Sequence, residues 1–405
     1  MNDDLTPADA RQRLVAALTA KGWISTPQVA RAFATVPRHL FAPAGTSMRA
    51  AYADDVVITK RDPYGRATSS ISAPWLQAHM IEAARLGPGS RVLEIGSGGC
   101  QAALLAEIGA LVTSIDIDPD VIDEARAALT RAGYPDVRLA VADAEAGYPG
   151  RAPYDAIIVS VEAGDVPPSW IRQLAPDGVI VVPLRMRGHT RCLTLRRQGD
   201  HLATTTALQC GFVAMRGDDR RRVRRLPLRA DDVVLMLDDP ATDVPADALA
   251  AALDRPRRDV WSPVTITMTE HGAFESLHLW LASQPRPYGV LAVDRQRTAG
   301  LLDPQDRFAC PTLLAADSLA YLAVRTVDDT RWQFGAHGFG PGADRLTADM
   351  IDLIGRWDRR HRYGPGPAIT VHPAGAARPD TDQLRLLVPR RHSLTAITWP
   401  DGDQR

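Results

Sequence analysis

The stretch that decides the fold runs from residue 92 to residue 99 and reads VLEIGSGG, an apolar run with one acid that ends in a glycine-rich turn. A second apolar run, 111–115, ends on Asp116, twenty residues after Gly96. This layout is typical of a nucleotide-type site at the carboxyl ends of parallel strands, where the backbone approaches the ligand closely and an acid accepts hydrogen bonds from ribose hydroxyls. The sequence therefore predicts a ligand site, although a tight strand-to-helix connection without a ligand has the same composition.

The type of ligand follows from single positions around this turn. The dinucleotide fingerprint G-x-G-x-x-G requires glycine at position 101, where this chain has Gln101. Glu94, just before the turn, has little use in packing and can receive an ammonium group. Asp143 follows a third predicted strand, where it can bind an adenine amino group or, alternatively, cap a loop. S-adenosyl-L-methionine, which has an ammonium group and no pyrophosphate, is therefore favoured over a dinucleotide.

The hydrophobic pattern around this site alternates between strands and helices. Strands are predicted over 91–95, 111–116, 137–141, 154–160 and 178–183, and helices over 101–109, 119–132 and 167–174. This alternation predicts an α/β fold with a doubly wound parallel sheet, preceded by a helical segment and followed by an additional α+β domain. Together with the preference for S-adenosyl-L-methionine, it makes a class I S-adenosylmethionine-dependent methyltransferase sheet the expectation.

Composition shifts divide the rest of the chain. The prediction has four parts: N-terminal helices and a substrate-side cover (1–75), the cofactor-binding domain (76–218), a basic linker (219–230) and an accessory domain for peptide recognition (231–405). Helices are expected within 8–35 and over 74–85, and irregular structure over 37–74. Further strands are expected at 191–196, 202–215, 233–237, 264–268, 276–281, 288–293, 321–326 and 393–399, and an amphipathic helix over 344–361.

Bulk properties limit the partners. The net charge is −1, with 23% charged and 45% hydrophobic residues. The overall charge therefore gives no indication that the protein binds nucleic acid or a membrane surface. Four scattered cysteines contain no C-x-x-C pair, so neither a disulfide framework nor a metal site is expected. The acidic N-terminus and the lack of a long apolar run predict a soluble, cytoplasmic protein. The arginine-rich run 220–225 is a solvated linker or a docking strip for an acidic peptide.

Five motifs in order make residues 12–216 resemble the protein-L-isoaspartate O-methyltransferase family. They are VPR (36–38) with FAP (41–43), AYAD (51–54), SISAP (70–74), VLEIGSG (92–98) and APYDAIIV (152–159). The resemblance implies that Ser72 is the active-site serine and Ser70 its hydroxyl neighbour; by itself, Ser72 could equally cap a helix that starts near Pro74. It also implies a cofactor site formed by Glu94, Gly96, Ser97, Gly98, Asp116, Ile117, Asp143 and Ala144.

Departures from the family pattern bear on the substrate. Cys100 replaces a glycine of the turn, residues 59–65 replace a short apolar link, and the chain continues past 220. In these features it is similar to the FxLD-type branch associated with lanthipeptide biosynthesis. That similarity implies methylation of an aspartate in a peptide substrate, such as a macrocyclic precursor. The methyl ester then leads through a succinimide (aspartimide) to isoaspartate or to retained aspartimide. General protein repair and an inactive scaffold subunit are the alternatives, and the oligomeric state stays open.

Overall fold

The computed structural model describes residues 5–204, 206–217, 223–230, 232–239, 242–267, 271–294, 301, 309–379 and 381–400. Its helices are α1 (Pro7–Ala20), α2 (Pro27–Thr35), α3 (Met48–Ala51), α4 (Pro74–Ala84), α5 (Cys100–Glu107), α6 (Pro119–Ala132), α7 (Pro168–Gln173), α8 (Ala246–Ala252), α9 (His271–Ala282) and α10 (Ala343–Arg360). Within these ranges, no helix is long and apolar enough to cross a membrane.

The strands form a hairpin and two larger sheets. They are β1 (Val57–Arg61), β2 (Ala67–Ile71), β3 (Arg91–Ile95), β4 (Leu111–Asp116), β5 (Arg138–Val141), β6 (Tyr154–Val159), β7 (Leu174–Met186), β8 (His189–Gln198), β9 (His201–Thr204), β10 (Leu208–Gln209), β11 (Arg224–Arg229), β12 (Val233–Leu237), β13 (Arg258–Thr267), β14 (Tyr288–Val293), β15 (Ala309–Leu314), β16 (Leu319–Asp328), β17 (Arg331–Phe339), β18 (Ala368–Pro373), β19 (Leu384–Pro389) and β20 (Ser393–Thr398).

The first large sheet contains the predicted parallel α/β arrangement. Strands β7, β6, β3, β4 and β5 lie side by side and run parallel. The chain runs outward from β3 in one direction through β4 and β5, and in the other through β6 and β7, so the strand order reverses beside β3. In doubly wound sheets the ligand binds at this switch point, outside the carboxyl ends of the strands. The predicted fold class is confirmed.

Local sequence explains the elements that border this switch point. All but the first residue of β3 are buried, as expected of a parallel strand with both faces covered. Helix α6 starts where the Asp118 side chain accepts a hydrogen bond from the Asp120 backbone N–H. It ends at Gly133, whose φ of 90° suits a left-handed helix terminus. Both ends agree with the predicted bounds.

The segment predicted as irregular, 37–74, contains the β1–β2 hairpin. Its turn is held by Asp62, whose Oδ1 accepts hydrogen bonds from the backbone N–H groups of Tyr64 and Arg66, and Gly65 adopts a φ of 79°. The strands are short and polar, so their hydrophobic pattern is weak and the turn chemistry decides the structure. The hairpin leads directly into Ser72.

The second large sheet is antiparallel and has the order β11-β12-β14-β15-β16-β17-β13. Helix α10 packs on it through the predicted apolar face, which contains Met350, Leu353 and Trp357. The strand predicted over 276–281 is wrong, because these residues belong to α9. They form a short run in which four of six residues are apolar and five are buried, and periodicity cannot separate a buried strand from a buried helix in such a run.

The boundaries predicted in the second half also need correction. The predicted linker, 219–230, includes strand β11 at the edge of the second sheet, while residues 218–222 lie outside the described ranges. The predicted accessory domain, 231–405, is divided between both sheets, because β18 pairs with β9 and carries β20 and β19 beyond it. The strand predicted over 202–215 is split into β9, β10 and an isolated bridge at Ala214.

A continuous core joins the two sheets. One buried apolar cluster contains Leu93 and Ile157 of the parallel sheet together with Met350 of α10 and Trp399 after β20. Trp399 is fully buried, and its indole N–H donates a 2.8 Å hydrogen bond to Ser283 Oγ at the end of α9. The second half is therefore packed against the sheet that carries the predicted ligand site.

Candidate active site

The glycine turn after β3 lies against the connection that follows β6. Gly96 has a φ of 96°, and a Cβ atom built there would lie 2.8 Å from Cγ1 of Val161. Both the conformation and the space therefore exclude a side chain at Gly96. On the other side of the turn, a Cβ atom on Gly98 would lie 3.6 Å from the backbone carbonyl of Ser70. The turn thus brings the predicted cofactor segment and the predicted catalytic segment into proximity.

Glu94 lies on β3 just before this turn and is fully buried. Its Oε2 accepts a 2.6 Å hydrogen bond from Ser114 Oγ, whereas Oε1 has no hydrogen-bond partner among the described residues. Burial raises the pKa of Glu94 to about 8, with only partial compensation from Ser114. A buried carboxyl with a spare oxygen is costly unless a partner such as an ammonium group satisfies it. This observation fits a cationic ligand.

Asp116 lies at the end of β4, beside the same turn. Its Oδ1 accepts a 2.9 Å hydrogen bond from the Asp118 N–H, and its Oδ2 accepts a 3.2 Å hydrogen bond from the Ser97 N–H. Burial raises its pKa, and backbone N–H donors and the nearby Arg216 oppose that change. The carboxylate is therefore held in place by the glycine turn and the start of α6.

Asp143 follows β5, as predicted, and caps a short 3₁₀ helix at 144–146 through a 2.8 Å hydrogen bond from the Glu145 N–H. The capping alternative is thus realised in the structure. A Cβ atom on Gly217 would lie 2.5 Å from Oδ2 of Asp143, so the segment before residue 218 passes directly over this carboxylate.

A cavity of about 390 Å³, including its open mouth, connects the ends of these strands. Of the predicted cofactor residues, Gly96, Asp116, Ile117 and Ala144 line it. It is also lined by residues not predicted for this site: Thr68, Ile95, Ile115, Ala142, Val161, Val213, Ala214, Met215 and Arg216. Residues 213–216 come from far along the chain and pack over the cavity; residues 211–215 resemble a late strand that the family places at its substrate pocket, and the structure places 213–215 at this cavity.

Ser72 lies between β2 and α4 and is partly buried. Helix α4 has Ala73 at its N-cap, so Ser72 is not its capping residue. The Ser72 backbone is held by Arg38, whose Nη2 donates a 3.0 Å hydrogen bond to the Ser72 carbonyl. Arg38 is buried and also donates to the Ala51 carbonyl at 2.8 Å and to Gln77 Oε1 at 2.7 Å. The sequence contains Arg38 in a family motif, but only the fold shows that it positions Ser72.

Ion pairs tie the hairpin to the cofactor side. Lys60 on β1 lies 2.9 Å from Asp118 Oδ2 and 2.9 Å from Asp120 Oδ2 at the start of α6. Arg216, from the segment over the cavity, lies 3.1 Å from Asp118 Oδ2. Both the hairpin that carries Ser70 and the cover of the cavity therefore meet at the loop after Asp116.

A family sequence profile described as "Protein-L-isoaspartate(D-aspartate) O-methyltransferase (PCMT)" matches residues 9–220 of this chain. The chain belongs to this family. Proteins named protein-L-isoaspartate O-methyltransferase match it from Hyperthermus butylicus (38% identity, 52% of this chain and 90% of the relative) and Methanopyrus kandleri (38% identity, 54% and 96%). A third, from Opitutus terrae, is 43% identical over 43% of this chain and 73% of the relative.

Solved structures with the same enzyme name are also similar. One has 21% identity and a TM-score of 0.49 and covers 86% of this chain and 92% of its own. Another, from Plasmodium falciparum with S-adenosyl-L-homocysteine bound, has 16% identity and a TM-score of 0.44, over 51% of this chain and 98% of its own.

Family membership confirms the predicted enzyme class, a carboxyl O-methyltransferase, and its cofactor, S-adenosyl-L-methionine. The relatives carry the general enzyme name, so the narrower resemblance to the FxLD-type branch stays a prediction. The family profile ends at residue 220, and all seven strands of the second sheet lie beyond it.

Proposed function

We propose that this protein methylates the free carboxylate of a peptide residue, which is the α-carboxylate of isoaspartate or the side-chain carboxylate of aspartate, using the cavity at the ends of β3 and β4. The observation that carries this proposal is the buried Glu94, whose Oε1 has no partner among the described residues, behind a glycine turn that touches the Ser70 backbone on its other side. One side of the turn thus faces the site for a cationic methyl donor, and the other side faces the protein segment that contains Ser70 and Ser72, where the substrate would bind.

The cofactor residues have separate roles in this proposal. Glu94 receives the ammonium group, and Asp116 accepts hydrogen bonds from the ribose hydroxyls. Ile117, Asp143 and Ala144 bound the adenine side, while Gly96, Ser97 and Gly98 allow the backbone to approach the methionine portion. When bound, the cofactor supplies an electrophilic methyl group on its sulfonium centre.

Ser72 acts on the substrate. A side-chain carboxyl has a pKa of about 4 and is already ionised at neutral pH, so no strong base is needed. In our proposal Ser72 donates a hydrogen bond to one carboxylate oxygen and orients the other for attack on the methyl group, with Ser70 beside it. Such positioning can account for roughly 7–11 kcal/mol of the barrier. The hydrogen bonds of Arg38 support this role because they fix the backbone on which Ser72 stands.

The methyl ester then reacts without further enzyme chemistry. The next backbone amide nitrogen attacks the ester carbonyl, methanol leaves, and a succinimide forms. Hydrolysis of the succinimide gives a mixture of aspartate and isoaspartate. Starting from isoaspartate, repeated cycles repair a protein; starting from aspartate, one cycle modifies a peptide.

Repair of isoaspartyl sites agrees with the names of the relatives. Maturation of a ribosomally made, lanthipeptide-like peptide is the second candidate. It is favoured by the large part of the chain beyond residue 220, which lies outside the family profile and packs against the methyltransferase sheet. A dedicated peptide-recognition role would account for that part, whereas repair does not require it.

Mass spectrometry of reactions with S-adenosyl-L-methionine separates these candidates. The protein is incubated with an isoaspartyl peptide, its aspartyl twin and a cyclised aspartyl peptide. Gain of one methyl group followed by loss of methanol on the isoaspartyl peptide alone indicates repair, and the same change on the cyclised peptide alone indicates maturation. An inactive scaffold methylates none of them. If calorimetry also shows no cofactor binding, the proposed function is wrong.

A further inference from the structure

A second groove opens on the outer side of the Ser72 segment. We call it the tryptophan groove; its space, including the open mouth, is about 1220 Å³. Its lining residues come from the turn after α1, the segment after α3, the start of α4, the β10 segment and α9: Lys21, Trp23, Asp54, Trp75, Leu208, Gln209, Cys210, Gly211 and Glu275.

The tryptophan groove and the cofactor cavity are lined by neighbouring parts of one segment of the chain. Residues 208–211 line the groove, and residues 213–216, two positions farther along the same segment, line the cofactor cavity. At the other wall, Oδ1 of Asp54 accepts a 2.9 Å hydrogen bond from the backbone N–H of Trp75, three residues after Ser72. A peptide with its reacting carboxylate at Ser72 therefore has this groove beside it for a flanking residue.

Helix α9 contributes Glu275 from beyond the family profile. The Glu275 Oε2 atom accepts a 3.1 Å hydrogen bond from the Gln209 N–H, which fixes the carboxylate against the β10 segment. Its backbone carbonyl accepts a 2.9 Å hydrogen bond from Arg191, a buried residue of β8. The carboxylate of Glu275 is thus held in a fixed position in the groove wall.

The chemistry of the groove suits a cation with an alkyl stem. The rings of Trp23 and Trp75 lie 5.0 Å apart at 45° and provide two aromatic faces. Asp54 and Glu275 supply two carboxylates against the single ammonium group of Lys21, which lies 2.9 Å from Asp54 Oδ2. The lining side chains therefore have a net charge of −1. Aromatic faces and carboxylates together favour lysine and arginine.

We propose that the tryptophan groove binds a lysine or arginine side chain that flanks the methylated residue of the peptide substrate, and that Glu275 determines this preference. The identity of the ligand as a substrate peptide rests on the proposed function. By this proposal, the part of the chain beyond residue 220 supplies substrate selection directly, as one wall of the groove.

The test uses the full-length protein and isoaspartyl peptides with a single lysine, alanine or glutamate at each of three positions on either side of the isoaspartyl residue. At one or more positions, we expect a KM for lysine about 5- to 10-fold below that for glutamate, in line with one cation–π contact and one charge pair. Equal KM values at every position would overturn the proposal.

Variants assign the effect to Glu275. In Glu275→Gln, which keeps an acceptor for the Gln209 N–H, the lysine-over-glutamate ratio should fall towards one, and Glu275→Lys should invert it. An inverted preference cannot result from misfolding. Asp177→Asn removes an exposed carboxylate on β7, which lines neither cavity, and should keep the wild-type ratio. An unchanged ratio in both Glu275 variants would also overturn the proposal.

Binding measurements keep this test separate from that of the proposed function. Fluorescein-labelled copies of the same peptides are titrated with protein and S-adenosyl-L-homocysteine, and anisotropy is followed. If no peptide is methylated, the proposed function fails. A binding preference for lysine that is lost in Glu275→Gln would still support the groove, and its absence would refute it.

Discussion

The hydroxyl of Ser114 donates a 2.6 Å hydrogen bond to Oε2 of Glu94, where β3 and β4 pair side by side. This bond occupies one oxygen of a fully buried carboxyl, and Oε1 is left without a hydrogen-bond partner among the described residues. Burial raises the pKa of Glu94 to about 8, so the carboxyl of the free protein is protonated near neutral pH. An ammonium group at this position would favour the ionised form.

Cofactor affinity should therefore depend on pH through Glu94. Between about pH 6 and about pH 7.5, the cofactor ammonium group stays charged while Glu94 must lose its proton on binding. We expect the Kd of S-adenosyl-L-homocysteine to fall as pH rises, by up to about tenfold per pH unit. Calorimetry in buffers of different ionisation enthalpy measures both the affinity and the released proton. Glu94→Gln should bind weakly with no such slope, and a pH-independent wild-type Kd would contradict the role of Glu94.

The free energy of unfolding of the cofactor-free protein should decrease as pH rises, whereas the affinity for the cofactor should increase. The ordinary pKa of this group is 4.5, and the folded protein holds the proton up to about pH 8. The stabilisation from this proton is complete below the ordinary pKa and is lost as pH rises through the folded pKa, because the unfolded chain binds fewer protons between the two. Thermal unfolding of wild type and Glu94→Gln from pH 5 to pH 8 isolates this contribution. Parallel curves would show that Glu94 does not titrate as described.

Ser72→Ala should lower kcat and spare cofactor binding. A hydrogen bond to a charged group contributes about 1.5–3 kcal/mol, which corresponds to a loss of roughly 10- to 100-fold in turnover. Turnover is measured by methyl transfer to an isoaspartyl peptide, and the Kd of the cofactor by calorimetry. Ser25→Ala, an exposed serine on the loop before α2, is the matched control and should behave as wild type. Equal turnover of Ser72→Ala and wild type would exclude the proposed role.

Asp116→Asn should weaken cofactor binding by roughly 10- to 100-fold, because the amide has fewer acceptor sites than a carboxylate that already serves the Asp118 and Ser97 N–H groups. Calorimetry with S-adenosyl-L-homocysteine measures the change. Asp155→Asn makes the same substitution near the opposite end of the sheet, where Asp155 accepts from the Arg91 N–H, and should leave the Kd unchanged. Similar Kd values for both variants would contradict the placement of the ribose.

Trp399→Ala should destabilise the whole chain, since the indole is buried between β20, α9 and the end of α10. Its ring lies 5.4 Å from Trp280 and 5.1 Å from His361, and its N–H bonds to Ser283. Truncation of a buried tryptophan costs about 3–5 kcal/mol. Tyr363→Ala, at a tyrosine that is 81% exposed, should cost far less. Thermal unfolding midpoints compare the two, and equal midpoints would show that the two halves are stable without this contact.

Elements with strong local signals were predictable from the sequence. Strands β3 and β4 and helix α6 have the bounds expected from the glycine turn, the apolar runs and the capping residues. The positions of Gly96 and Asp116 at one cavity follow in turn, because the carboxyl ends of parallel strands meet at one edge of a sheet.

Elements held by distant partners were not predictable. Strand β18 pairs with β9, although more than 160 residues separate them, and no local pattern specifies that partner. The run 276–281, predicted as a strand, lies in helix α9, and its burial does not distinguish a strand from a helix. Residues 213–216 and Glu275 reach their cavities through packing rather than local preference.

By itself, the sequence determined the parallel methyltransferase sheet and the family, and it placed Gly96 and Asp116 at one edge of that sheet, because turn geometry, strand burial and helix capping are encoded by neighbouring residues. Only the tertiary structure decided that Arg38 holds Ser72, that β18 to β20 complete the first sheet and that Glu275 enters a groove beside the active site. These contacts join residues far apart in the chain, so they depend on which surfaces can be buried together and on which buried polar groups find partners.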